Sequence, residues 1–246
     1  MKRFLLFFPA LYIWLVSGGV FLFATILGII VFNIVPAKKV HPVYKRLLRL
    51  VFVFAFVRVK KINTPKISKD KSYIFMANHT SLIDVPLMGA YLPIFVNALE
   101  AHTHFQWPVY RHLIKAYGQI PINRSSPGKS LQSYNQAAEK VKNNTSIIVF
   151  PEGHRTKNGK LQRFKKLPFM IAKKAETEII PIGINGMWKL SGGESFFLRP
   201  TKLTMNFGNP ISTQDIEKLS ANELADKVQS QIAELMNETI PKSRNY

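Results

Sequence analysis

Residues 4–37 carry no charged side chain. Wound as a helix, that run is roughly 50 Å long, against a hydrocarbon core of about 30 Å. Ser17-Gly18-Gly19 offers a point at which it can break or bend. A second apolar segment, residues 47–57, is ringed by Lys45, Arg46, Arg49, Arg58, Lys60 and Lys61. It is too short to span a bilayer and reads as an interfacial helix with its cations at anionic head groups. The two segments predict either a hydrophobic helical hairpin dipped into one leaflet or one span followed by an interfacial helix. Lys2 and Arg3 precede the first run and Lys38 and Lys39 follow it, so flanking charge fixes no orientation. The run is longer than the apolar core of a cleaved leader, and no small-residue cleavage site followed by polar chain appears. The polar stretch 63–71 places a domain boundary near 65: a membrane-docking segment, 1–64, then a folded domain, 65–246.

Beyond residue 72 short apolar runs alternate with helical stripes. Strands are predicted at 73–77, 94–98, 119–122, 146–150, 178–184 and 201–207, and helices at 82–92, 108–117, 130–142 and 167–175. Ser220 and Glu223 form a capping box ahead of a stripe of Leu224, Val228, Ile232 and Leu235. The alternation predicts an α/β fold: a mixed, mostly parallel sheet flanked by helices. Pro181 inside the run 178–184 predicts an edge or pocket-wall strand, and 201–207 alternates like an edge strand.

Charge adds a partner class. The net charge is +20, from 34 basic and 14 acidic residues. Residues 1–175 hold 27 basic and 5 acidic side chains, net +22; residues 176–246 hold 7 and 9, net −2. Such a field suits an anionic membrane surface, a phosphorylated substrate, an acidic carrier protein or nucleic acid. No aromatic-basic surface motif or recognised module supports nucleic acid, and the apolar N-terminus accounts better for the cations. The chain has no cysteine, which excludes disulfides, a cysteine nucleophile and thiolate metal sites.

Three stretches carry candidate chemistry. In Asn78-His79-Thr80-Ser81-Leu82-Ile83-Asp84 a histidine follows an apolar run and precedes a helical pattern. Ser81 as N-cap and Asp84 in the first turn would bring a carboxylate back to the His79 ring, fixing its tautomer and leaving one nitrogen free to take a proton. By itself the stretch is equally a capped helix that follows a histidine. Phe150-Pro151-Glu152-Gly153-His154-Arg155-Thr156 closes the most hydrophobic strand at the sheet edge where α/β folds hold ligands. Gly153 permits a sharp turn there. Gly118-Gln119-Ile120-Pro121-Ile122-Asn123-Arg124 ends another strand in an arginine whose planar fork suits phosphate. His41, His102, His104 and His112 have no chemical context and read as structural or surface residues, and His102 with His104 lacks the acidic cluster a metal site needs.

Taken together and in this order, these stretches resemble the glycerolipid acyltransferase family, specifically its bacterial 1-acylglycerol-3-phosphate O-acyltransferases. Asn78, His79 and Asp84 match its Asn-His-x4-Asp motif. Pro121, Asn123 and Arg124 match the second motif. Phe150, Pro151, Glu152, Gly153, Arg155 and Thr156 match the third, and the segment around Pro181 matches the fourth. The likeness covers about residues 70 to 190. Departures fall at His154, where Thr or Ser is common, at Leu167-Pro168 after Phe164-Lys165-Lys166, and in Glu100-Ala101-His102-Thr103-His104.

The resemblance implies a glycerol-phosphate acyltransferase-like fold and transfer of an acyl group to the sn-2 hydroxyl of lysophosphatidic acid, giving phosphatidic acid. His79 is then the general base and Asp84 its orienting carboxylate. Arg124 and Arg155 hold the acceptor phosphate, and Asn78, Glu152, Gly153 and Thr156 complete the substrate-binding set. Acyl-CoA or acyl carrier protein serves as co-substrate, with no cofactor and no metal. Anionic lipid is the surface partner, at the cytoplasmic face of a bacterial inner membrane. No Gly-x-Ser-x-Gly elbow occurs, which favours a single step without an acyl-enzyme. Another lysolipid acceptor, such as a lysophospholipid or lyso-ornithine lipid, and a non-catalytic lipid-binding protein are the rival readings.

Overall fold

The computed structural model describes residues 2–192 and 198–237. Seven strands form one sheet: β1 (Arg58–Ile62), β2 (Ile74–Ala77), β3 (Val96–Ala101), β4 (Ile120–Ile122), β5 (Ser146–Val149), β6 (Ile179–Asn185) and β7 (Lys202–Phe207), in the order β1-β7-β6-β2-β5-β3-β4. Every neighbouring pair is parallel except β6 with β7, so the mixed, mostly parallel sheet is as predicted. Its central strands are buried on both faces and therefore read as unbroken apolar runs. Ile74 and Met76 point into one core with α5 (Pro127–Lys142), α6 (Phe169–Ala175), α8 (Thr213–Lys218) and α9 (Ala221–Met236). Phe75 and Ala77 point into the other, as the two-residue period requires.

That second core includes the N-terminal helices. α1 (Lys2–Ile34) is one helix, without a break at Ser17-Gly18-Gly19; a Cβ built on either glycine would meet nothing within 4 Å. α2 (Ala37–Phe54) starts ten residues ahead of the apolar segment read from the sequence, because its buried stripe is spaced for a helix but includes polar types: Ala37, His41, Tyr44, Leu48 and Phe52. It is clamped to α3 (Asp84–Tyr91) by Arg49, whose Nε donates to the Ala90 carbonyl at 2.9 Å and whose guanidinium lies over the Tyr91 ring. One of the cations assigned to head groups thus serves a helix contact. α1 also packs on α4 (Tyr110–Tyr117). Gly28 permits this approach, since a Cβ there would lie 2.7 Å from Leu113 Cδ1. The outward faces leave Leu15, Phe23, Ile30, Val53 and Phe56 more than half exposed. Among the described residues one helix, over 7–34, is long and apolar enough to cross a membrane.

Three strand readings are corrected. β1, a run of cations without apolar alternation, escaped the sequence pattern. It pairs with β7 and so occupies the edge expected of 201–207; lysines on an outer strand discourage further pairing. It lies on the N-terminal side of the 64/65 boundary, within the same sheet as the rest. β6 is interior despite Pro181, because that residue faces the point where β7 ends and its carbonyl takes the Gly208 N–H. β3 runs two to three residues later than predicted, which carries Glu100 from a loop into the sheet. The short α7 (Met187–Ser191) and α8 were not anticipated, whereas the Ser220–Glu223 capping box is present on α9.

Candidate active site

The sheet's carboxyl edge is built by β2, β5, β3 and β4 in that spatial order. Past the end of β2, the buried Asn78 side chain extends the strand pairing. It accepts from Ile184 N at 2.7 Å and donates to Ile184 O at 3.1 Å. The next peptide is gripped by the loop after β5: His79 N donates to Glu152 Oε1 at 2.6 Å, and Thr156 N donates to the His79 carbonyl at 2.9 Å. The histidine is therefore held by its backbone before its ring engages anything.

Asp84 is the first residue of α3, where the helix dipole favours negative charge. It is fully buried, and its Oδ2 accepts from Thr80 N at 2.7 Å and Ser81 N at 2.8 Å and meets His79 Nδ1 at 2.8 Å. The expected carboxylate–imidazole contact is present, but the route differs. Ser81 is not the N-cap and α3 starts two residues later than predicted; Asp84 itself reaches back over two N–H groups. A buried acceptor-only carboxylate at this distance places the proton on Nδ1 and leaves the Nε2 lone pair available. The ring stacks on Phe150, centroids 4.3 Å apart.

His79 opens onto a cavity of about 630 Å³ lined also by Phe150, His154, Arg155 and Arg124. Arg124 follows β4 and Arg155 follows β5, so two arginines reach this cavity from loops on either side of β3. Among the described residues neither has a carboxylate within ion-pair distance. Two unpaired cations in one cavity suit an anion. α1 and α2 add an apolar part of the wall, including Ile13, Phe21, Val51 and Phe52.

The other residues read as substrate-binding lie behind this wall. Asn78 spends its amide on β6. Glu152 accepts from His79 N and from Gln162 N at 2.9 Å. Gly153, at φ 81°, brings Lys165 so close that a Cβ would lie 2.9 Å from its Cε. Thr156 Oγ1 donates to Lys160 O at 2.8 Å. None of the four lines the cavity.

Sequence reading passed over one group on the wall. Glu100 is buried at the end of β3, where its Oε2 meets His104 Nδ1 at 3.0 Å and the Tyr110 hydroxyl donates to both of its oxygens at 3.2 and 3.3 Å. His104, read as a structural or surface residue, thus has a carboxylate partner. The i, i+4 spacing of Glu100 and His104 was the available signal. Burial beside that carboxylate pushes the Tyr110 hydroxyl well above its ordinary pKa. Among the described residues no three His, Cys, Asp or Glu side chains converge as a metal site would require.

A model of the acyltransferase family matches residues 58–185. The 1-acyl-sn-glycerol-3-phosphate acyltransferase of Streptococcus pneumoniae is 33% identical over 187 residues, 72% of this chain and 66% of that protein. The coconut (Cocos nucifera) protein of the same name is 30% identical over 156 residues, 63% of this chain and 51% of its own length. This chain thus spans about half the length of such curated relatives. In fold it is similar to the crystal structure of the 1-acyl-sn-glycerophosphate (LPA) acyltransferase PlsC from Thermotoga maritima, with a TM-score of 0.81 over 96% of each chain at 23% identity.

Proposed function

The chain belongs to the acyltransferase family, and from that premise we propose that it transfers a fatty acyl group from a thioester to the sn-2 hydroxyl of 1-acylglycerol-3-phosphate at a membrane surface. One observation carries the reading: a histidine with a buried carboxylate partner faces the same cavity as two unpaired arginines. The phosphate binds Arg124 and Arg155, which sets the acceptor hydroxyl toward His79. Nε2 takes the hydroxyl proton as the oxygen attacks the thioester carbonyl. Asp84 holds the tautomer and stabilises the imidazolium. The C–S bond then breaks, and the thiolate leaves with the proton that His79 returns. The arrangement needs no acyl-enzyme. Asn78, Glu152, Gly153 and Thr156 act as positioning residues that fix the His79 peptide and the Arg155 loop.

The exposed apolar faces of α1 and α2 support a seat in the bilayer, with the cavity they line open to lipid substrates and acyl-CoA or acyl carrier protein arriving from the cytoplasmic side. The test is an acyl-transfer assay crossing lysophosphatidic acid, lysophospholipids and lyso-ornithine lipid with both donors. Transfer to lysophosphatidic acid that disappears in His79→Ala is expected. Equal transfer to acceptors without a phosphomonoester would defeat the assignment of the acceptor.

A further inference from the structure

The cavity that holds His79 contains a second carboxylate–histidine pair. Glu100 and His104 resemble Asp84 and His79 in burial: side-chain exposures are 2% and 19% for the second pair, 0% and 17% for the first. Both oxygens of Glu100 are engaged, so His104 Nδ1 carries the proton donated to it, and Nε2 has no partner among the described residues. The ring leans on Trp107, centroids 4.4 Å apart, and Trp107 is 42% exposed. A third polar atom on the same cavity, Ser17 Oγ of α1, is buried without a partner among the described residues. Buried polar atoms normally find partners, so an otherwise apolar wall here presents hydrogen-bonding capacity that the protein leaves unused.

Position and charge narrow the ligand. β3 is separated from β2 by β5 alone, so Glu100 stands two strand spacings, roughly 10 Å, from the end of the strand that presents His79. A carboxylate paired with an imidazole carries no net positive charge in either protonation state of the ring. It offers the acceptor phosphate no cation, whereas Arg124 and Arg155 do, and its free ring nitrogen suits the amide and hydroxyl groups of an uncharged ligand. We infer that Glu100, His104 and Trp107, with Ser17, form the docking station for the pantetheine arm of the acyl donor. That arm is uncharged, is shared by CoA and acyl carrier protein, and carries amides at one and two peptide-like lengths from its thioester sulfur. The inference rests on the acyl-transfer reading above and adds to it where the donor lies: along the sheet edge from β2 toward β3, past Phe150.

Two truncated donors test it. An acyl-pantetheine thioester reaches the station, and an acyl-N-acetylcysteamine thioester, with a single amide, stops short. The wild type should favour the former in kcat/KM by up to about tenfold, the upper end for one neutral hydrogen bond. His104→Asn keeps a donor where Nδ1 stands and so preserves the bond to Glu100, but it removes Nε2. It should abolish most of that preference, acting on the donor KM and not on the acceptor KM. His104→Gln, which keeps a polar group near the Nε2 position, should restore part of it. Should His104→Asn not fold, Trp107→Ala, an exposed side chain, takes its place with the same expectation. Full preference in these variants, or none in the wild type, overturns the assignment. Losses should be parallel with acyl-CoA and acyl carrier protein; a loss confined to one of them puts the contact outside the shared arm and also overturns it. Calorimetric binding of a non-reactive S-alkyl pantetheine separates the two proposals. Binding that His104→Asn weakens, in an enzyme that transfers no acyl group, would uphold the station while the acyl-transfer reading fell.

Discussion

Asp84→Asn isolates the charge of the buried carboxylate. The amide oxygen can still accept from Thr80 N and Ser81 N, so the turn that starts α3 is kept. What disappears is the negative charge beside a ring that, in the proposed mechanism, becomes cationic during transfer. With Nδ1 and Oδ2 2.8 Å apart, the two charge centres lie about 4 Å apart, and at an effective dielectric of about 20 their attraction is roughly 4 kcal/mol. At 1.36 kcal/mol per tenfold, that predicts a fall of about 10³ in kcat. The KM for lysophosphatidic acid should change little, because Asp84 does not line the cavity. Release of free CoA thiol can be followed with an aromatic disulfide reagent, and the protein adds no background because it has no cysteine. Circular dichroism and the thermal midpoint confirm that the variant is folded. A kcat within tenfold of wild type in a folded Asp84→Asn enzyme would refute the claim that this carboxylate stabilises a protonated His79.

Arg155→Ala should raise the KM for a phosphate-bearing acceptor by about tenfold or more, the loss of one charge-assisted contact, with little effect on an acceptor lacking phosphate; equal loss on both would remove the phosphate role. Phe23→Glu with Ile30→Glu, both on the exposed face of α1, should release the protein from anionic vesicles in a flotation assay, since each charge costs about 3 kcal/mol in a bilayer core; unchanged flotation would place the membrane contact elsewhere. His41 is buried under α2, and burial, reinforced by Lys45 and Arg49, lowers its pKa from 6.5 to about 4. Above pH 6.5 the ring is neutral in both states; between 6.5 and 4 the unfolded chain takes up a proton and the folded one does not. Stability should therefore fall by about 3 kcal/mol as the pH drops through that window, read as urea midpoints in detergent at pH 7.5 and 4. A flat profile would show that His41 gains a proton in place.

The elements that were legible in the sequence owe it to a single dominant cause. β2 and β5 are buried on both faces and read as apolar runs, and α9 announces itself by a capping box and a one-sided stripe. β1 was illegible because an edge strand is guarded by the same lysines that mark a surface loop. α2 was truncated because the face it buries contains His41 and Tyr44, whose burial depends on Tyr117 across the interface: its hydroxyl lies 2.9 Å from His41 Nδ1. His79 and Asp84 were found from local spacing, because five residues and a helix start are enough to join them. The contacts of Glu152 were not legible for the opposite reason. Its partner is the His79 backbone, 73 residues away, and no local pattern distinguishes a glutamate that touches substrate from one that holds a peptide.

That distinction bears on how the site is assembled. The Asn-His turn is fixed by Asn78 to β6 and by Glu152 and Thr156 to the loop after β5. Arg155 lies between those two clasps. A shift of that loop would therefore move His79 and Arg155 together, and under the proposed function the distance between acceptor hydroxyl and Nε2 would change little. Arg124 arrives separately, at the end of β4, and is tied to neither clasp. Under the proposed function, tolerance for acceptors of different head-group length would thus be set at the β4 loop, and alignment of the transferred proton at β2 and β5. Variants of Asn123 and Arg124 should move acceptor choice, and variants of Glu152 and Thr156 should lower turnover on every acceptor alike.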